Sequence, residues 1–156
     1  MALLMADSAT PQNIPDSWDG AVAAYINLRY AWPHHQIMRF NQVIRISVTG
    51  DAAEARKARV IDVEKFAASP GDAPAFIRER IRLGHHDATI YCSRDTVPAV
   101  RRACQGLTYR LWVADWTGQP HRIHGVDAWA VQYHGGPSLP FDTSIIYGMP
   151  PAKRRP

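Results

Sequence analysis

Short apolar runs separated by turn residues dominate this chain. Eight of them have strand character: residues 2–7 (ALLMAD), 21–27 (AVAAYIN), 42–48 (QVIRISV), 59–64 (RVIDVE), 88–93 (ATIYCS), 110–115 (RLWVAD), 128–133 (AWAVQY) and 142–147 (DTSIIY). Helical spacing is rarer. Residues 74–83 (PAFIRERIRL) carry it, with Pro74 suited to a first turn and Gly84 to a C-cap. Residues 96–105 (TVPAVRRACQ) form a second helix with Asp95 as N-cap, residues 32–40 a third, and residues 15–19 a single turn. The stretch 118–127 reads as loop. Strands interrupted by helices predict an α/β fold: a compact (β/α)8-like, TIM-type barrel with several helices missing. A β-sandwich competes, but two helices lying between strands argue against it.

The length of 156 residues suits one domain, placed at 1–149, with residues 150–156 as a basic C-terminal tail. A 46% hydrophobic and 21% charged composition is that of a soluble globular chain. No run is long enough to span a membrane, and residues 1–8 lack the basic and apolar regions of a signal peptide. The expectation is synthesis in the cytoplasm without a cleaved export signal. Cys92 and Cys104 read as buried thiols rather than a bridge. The net charge of +4 suits a polyanionic partner, either nucleic acid or an anionic bacterial wall. No nucleic-acid-binding module is recognisable, which makes that class of partner the weaker reading.

In such a barrel, function gathers at the C-terminal ends of the strands. The residues there are Asp7, Asn27, Ser47, Asp62, Glu64, Ser93, Asp115, Trp116, Gln132 and Tyr133. Asp62 and Glu64 are two apart on one strand and so share a face. Adjacent carboxylates repel, one pKa rises, and the pair can supply both a protonated acid and a charged base. That is the equipment of glycoside hydrolysis. Taken alone, D-x-E is equally a solvated strand end. Asp142 begins its run, so strand direction would place it at the opposite end of the barrel unless the preceding loop climbs over the mouth. Tyr91, Trp112 and Trp116 fit core packing, and Trp116, nearest a strand end, fits a sugar platform best. Arg45, in phase with Ser47, would pair with the acids if it pointed inward. Arg78, Arg80, Arg82, Arg101 and Arg102 read as solvated helix faces. The seven histidines show no chelating spacing, and neither a metal nor another cofactor is expected.

These segments, in this order, resemble the family 25 glycoside hydrolases, the N-acetylmuramidases often called Chalaropsis-type lysozymes. More closely, they resemble short glycoside-hydrolase-like proteins of actinobacteria and their phages. VIDVEKF (60–66) is similar to the family's D-x-E at the end of the fourth strand. ATIYCS (88–93) is similar to its fifth strand and YRLWVADW (109–116) to its sixth. WAVQYHGG with FDTSIIYG (129–148) is similar to its Trp-Gln-Tyr and Asp-x-Ser ending.

The resemblance implies an eight-stranded barrel acting on peptidoglycan or a related polysaccharide, at the cell wall or carried in a phage virion. It implies Glu64 as general acid and Asp62 as its assistant, with Asp142 and Asp7 completing the carboxylate cluster. Asn27, Tyr91, Asp115, Trp116, Gln132 and Tyr133 then become substrate-binding candidates. The stretched Trp129-Ala-Val-Gln132-Tyr133 shifts that role from Trp129 to Gln132 and Tyr133. A rival reading keeps the barrel without catalysis, as a glycan-binding protein or a virion component with other virion proteins as partners.

Overall fold

A computed structural model describes residues 2–148. Eight strands close into one barrel in sequence order. They are β1 (Leu3–Asp7), β2 (Ala21–Tyr25), β3 (Val43–Ser47), β4 (Val60–Val63), β5 (Thr89–Ser93), β6 (Arg110–Ala114), β7 (Ala130–His134) and β8 (Asp142–Ile146). All eight expected strands are present, and the α/β barrel with few helices is the fold. The basic tail expected at 150–156 lies outside the described residues.

Strands β1 to β7 run parallel, whereas β8 runs antiparallel to both β7 and β1. The connection 135–141 explains this. A parallel return needs a crossover of about a dozen residues or more, and this link is too short to provide one. The chain therefore turns straight back, and Asp142 opens β8 directly opposite Asp7. The placement expected from a parallel eighth strand is thereby corrected: Asp142 sits at the mouth with the other acids.

Three α-helices accompany the barrel: α1 (His34–Ile37), α2 (Ala73–Arg82) and α3 (Val97–Ala103). The helix expected over 32–40 shrinks to the single turn α1. Its flanking residues Trp32 and Phe40 bury instead in a small cluster with Ile14, Val22 and Ala24. Likewise, α3 starts after Thr96 rather than at Asp95, which lies in a preceding 3-10 turn, Arg94–Thr96. Residues 118–127 are loop, as expected.

Helix α2 buries Ala73, Phe76, Ile77 and Arg80, an i, i+3, i+4, i+7 stripe, against the outer faces of the central strands. That stripe corrects the expectation that Arg80 is solvated. Its guanidinium pairs with Asp87 and donates to the Ala55 carbonyl (3.1 Å). Cys92 and Cys104 are both buried and unpaired. Among the described residues no helix is long and apolar enough to cross a membrane.

Inside the barrel the strand alternation stacks Met5, Ala21, Ala23, Ile44, Ile46, Val60, Trp112, Ala130 and Ile146 into an apolar plug. Continuing the same inward phase toward the C-terminal ends brings in Asp7, Tyr25, Asp62, Tyr91 and Gln132. The core turns polar at the mouth.

Candidate active site

Asp7 ends β1, Asp62 lies in β4, Glu64 follows β4 by one residue, and Asp142 opens β8. Four carboxyl groups expected from the sequence thus meet around one opening. Asp7 and Asp62 are buried, at 3% and 5% exposure. Glu64 is exposed and Asp142 half-buried.

Crowding and burial shift all four in one direction. Burial, followed by the charge of Asp142, pushes Asp7 up to about 8. Burial, followed by the charges of Glu64 and Asp7, pushes Asp62 up to about 8. Glu64 is raised by desolvation and by Asp142, with the Tyr91 hydroxyl pulling it partly back. Asp142 is raised by desolvation, while the Gly136 amide and His134 pull it back. These groups titrate together, so the protons belong to the cluster rather than to any one acid. Near neutral pH the mouth retains protons.

Gln132, fully buried, organises the cluster. Its Nε2 donates to both Asp7 oxygens (3.3 and 3.1 Å). Its Oε1 accepts from the Tyr91 hydroxyl (3.0 Å) and from the Trp116 indole N–H (2.7 Å). Tyr91 is clamped further by Trp112, with ring centroids 4.6 Å apart. Trp116 itself is 55% exposed and lies against the turn at Gly135. A Cβ at Gly135 would come within 2.6 Å of the Trp116 indole nitrogen, so only glycine lets the ring settle there. The next amide, Gly136 N–H, donates to Asp142 (3.1 Å).

Three adjoining depressions of about 210, 500 and 620 Å³ cross the mouth, and Glu64 lines all three. Tyr25, Tyr30, Asp62 and Phe66 wall the first; Asp7, Tyr91, Trp116 and Asp142 wall the second; Arg94, Asp115 and Trp116 wall the third. The arrangement is an open groove with an exposed acid at its centre and two buried acids with raised pKa values beneath it. One oxygen of Asp62, Oδ1, is buried without a hydrogen-bond partner. Buried polar atoms are normally paired, so this one is available to a ligand.

Not every candidate joins the groove. Asn27 spends its amide on the end of β3, donating to Ser47 Oγ (2.8 Å) and Thr49 Oγ1 (3.3 Å) while accepting from Val48 N–H (3.0 Å). Tyr133 alternates with Gln132 and so points outward, where it packs on the outer core. Asp115 reaches the third depression but is engaged by His121 (2.9 Å) and Arg94 (3.3 Å). Arg45 is exposed and does not face the acids. Trp129 lies at the opposite end of the barrel.

Tyr25, Tyr30, Phe66 and Arg94 are groove residues that the sequence does not single out. Tyr25 was within reach, being in phase with Ala21 and Ala23 at the end of its strand. Among the described residues no group of three or more His, Cys, Asp or Glu is arranged to hold a metal ion.

No protein-family model matches this chain, and no curated protein matches it in sequence. A solved structure does match in fold: a family GH25 lysozyme from Aspergillus fumigatus. The match covers 96% of this chain and 95% of that one, with a TM-score of 0.56 and 14% sequence identity. Similarity that extends over both whole chains at so low an identity is similarity of backbone. In fold, this chain is similar to a GH25 lysozyme.

Proposed function

We propose that this protein is a glycoside hydrolase of the lysozyme type, cutting a β-1,4 bond of peptidoglycan with Glu64 as general acid. The observation that carries the reading is Glu64 itself, an accessible carboxyl with a raised pKa at the junction of three groove segments. Protonated Glu64 delivers its proton to the glycosidic oxygen as the bond breaks, one sugar leaves with a new hydroxyl, and the positive charge developing on the other ring is discharged when water adds to its anomeric carbon and returns a proton to Glu64. Asp62 lies beneath, with Oδ1 unpaired, to accept the substrate's acetamido N–H. Burial, and after it the charge of Asp142, raises Glu64 above the usual carboxylate range. Trp116, fixed by Gln132, offers its exposed face to a sugar ring. The fold shared with a GH25 lysozyme supports the reaction class, and action at a bacterial wall, by a cell or by a phage particle, follows from that substrate.

A zymogram on actinobacterial peptidoglycan, with wild type beside Glu64→Gln, tests this. Wild type clears the wall, and the variant, isosteric and exposed, folds normally but loses at least about a hundredfold in rate. Equal clearing by both proteins would refute the mechanism. Saccharide binding without clearing by either would identify a non-catalytic relative.

A further inference from the structure

The end of the barrel opposite the mouth has a depression of its own, about 320 Å³, that the proposed reaction does not use. Arg110 opens β6, Trp129 stands one residue before β7, and Tyr147 follows β8. Because β8 runs antiparallel, its last residue returns to the end where β6 and β7 begin. Backbone bonds hold these positions together. Trp129 N–H donates to the Leu111 carbonyl and Tyr147 N–H to the Trp129 carbonyl, both at 2.8 Å. Arg122 and Asp127, on the loop that descends from the mouth, complete the wall.

Positive charge collects here without an answer. Arg59 and Arg110 both lie over the Trp129 ring, and Arg122 lies over the Tyr147 ring at 3.9 Å. None of the three takes part in an ion pair among the described residues. Asp127 is exposed and is likewise in no such pair, so the wall sets two cations against one acid. Burial lowers the Arg59 pKa, Asp87 offsets part of that, and the charges of Arg110 and Arg80 deepen it.

Hydrogen bonding is short in the same place. Arg59 Nε and Nη2 and Trp129 Nε1 are buried without a partner, and Trp129 as a whole is only 9% exposed. Buried donors are nearly always paired, so this end lacks acceptors as well as negative charge. A phosphate group supplies both, with oxygens that fit the guanidinium fork. The rings limit what can carry that phosphate. Single-stranded nucleic acid is held largely by bases stacked on open aromatic faces. Here Trp129 is buried with two guanidiniums over it and Tyr147 lies beneath a third, which leaves no platform for a base.

We propose that the depression at the base of the barrel binds the phosphate groups of a polyol-phosphate chain, held by Arg110 and Arg122 with Arg59 adding charge from within. Asp127 opposes the anion and weakens its hold. A molecule tethered by its base keeps its mouth free, which suits a protein working against an anionic wall. The site stands whether or not the groove is catalytic.

Calorimetry on the full chain compares two soluble probes of equal phosphate number, a glycerol-phosphate oligomer and oligothymidylate. Wild type should bind the glycerol-phosphate oligomer at least about fivefold more tightly than the oligonucleotide. Most of that binding should vanish in about 1 M salt. Arg110→Gln/Arg122→Gln should lose at least about tenfold for the oligomer. Arg78→Gln/Arg102→Gln, which removes the same charge from exposed helix positions, should lose less than about twofold. Arg122→Gln alone, at an exposed loop position that tolerates the change, should lose about threefold. Asp127→Asn should gain about twofold, and Glu64→Gln should bind as wild type does.

No binding by wild type, equal losses in the two double variants, or no loss in Arg122→Gln would each overturn the site. So would weaker binding in Asp127→Asn, or oligothymidylate held as tightly as the polyol phosphate. A loss in Glu64→Gln would place the phosphate at the mouth and overturn it too. The hydrolase reading fails separately, since a protein that never clears the wall can still show this pattern of binding.

Discussion

At the base of the barrel, Arg59 and Arg110 lie over Trp129, 4.7 and 5.9 Å from its ring centroid. At the mouth, Asp7, Asp62, Glu64 and Asp142 converge, none of them in an ion pair among the described residues. Each end thus concentrates one sign of charge in a poorly hydrated place. The remedies differ because the chemistry differs. A guanidinium cannot shed its proton, so Arg59 needs an electron-rich face and a nearby acid, and Asp87 offsets part of its burial. A carboxylate can take up a proton, and the acids at the mouth are stabilised by remaining neutral. The arginine end is therefore fixed in charge and serves closure. At the acid end burial raises every carboxyl, a shift toward the protonated state that a general acid requires.

The largest expected effect breaks the base. Trp129→Ala removes a buried ring and the surface on which Arg59 rests, whose Nε and Nη2 already lack hydrogen-bond partners. It should cost about 3–5 kcal/mol in urea unfolding. Trp129→Phe, which keeps a ring for the cation, should cost less than about 1.5 kcal/mol. Saccharide binding per folded molecule should not change with either. Equal damage to the mouth would show that the two ends are not separable.

The next effect acts at the mouth with the opposite sign. Below about pH 4 Asp7 is protonated in folded and unfolded chains alike. Between 3.8 and about 8 only the unfolded chain ionises it, so unfolding releases a proton and stability falls as pH rises. The slope approaches about 1.4 kcal/mol per pH unit. Asp7→Asn escapes that penalty. Its advantage over wild type should be near zero at pH 4, grow to a few kcal/mol by pH 8, and level off there. Turnover should fall in the same variant. The Trp129 variants, whose neighbours keep their charge, should instead run parallel to wild type across this range. Parallel curves for Asp7→Asn as well would mean that the acids are not held neutral by burial.

Much of this contrast was legible from residue order. The D-x-E phase put Asp62 and Glu64 on one face, and strand ends put Asp7 and Gln132 beside them. Strand order alone leaves the placement of Asp142 open because it does not weigh connection length; a seven-residue link between His134 and Asp142 permits only a return. Tyr133 was misassigned by taking two adjacent residues as one motif, although adjacent strand residues face opposite ways. Asn27 commits its amide to bracing the end of β3, a use that no spacing announces. Phe66 was the hardest to see. An aromatic residue held at positive φ has no sequence signature, because its backbone state is imposed by the loop around it.

The smallest effect decides whether the mouth is truly uncompensated. Arg45 lies in β3, one strand from the acids of β4, and an inward guanidinium there would have neutralised much of their repulsion. Instead its side chain is exposed on the outer face, opposite in phase to Ile44 and Ile46 of the barrel interior. Arg45→Ala should therefore change stability by no more than about 0.5 kcal/mol. It should also leave the pH midpoint of turnover where wild type has it, since solvent screens an exposed charge from groups inside the barrel. A clear upward shift of that midpoint would mean that Arg45 had been holding the acids' pKa values down. The retained protons at the mouth would then owe less to burial and mutual repulsion than the geometry assigns, and Glu64 would be tuned from outside the barrel as well as from within.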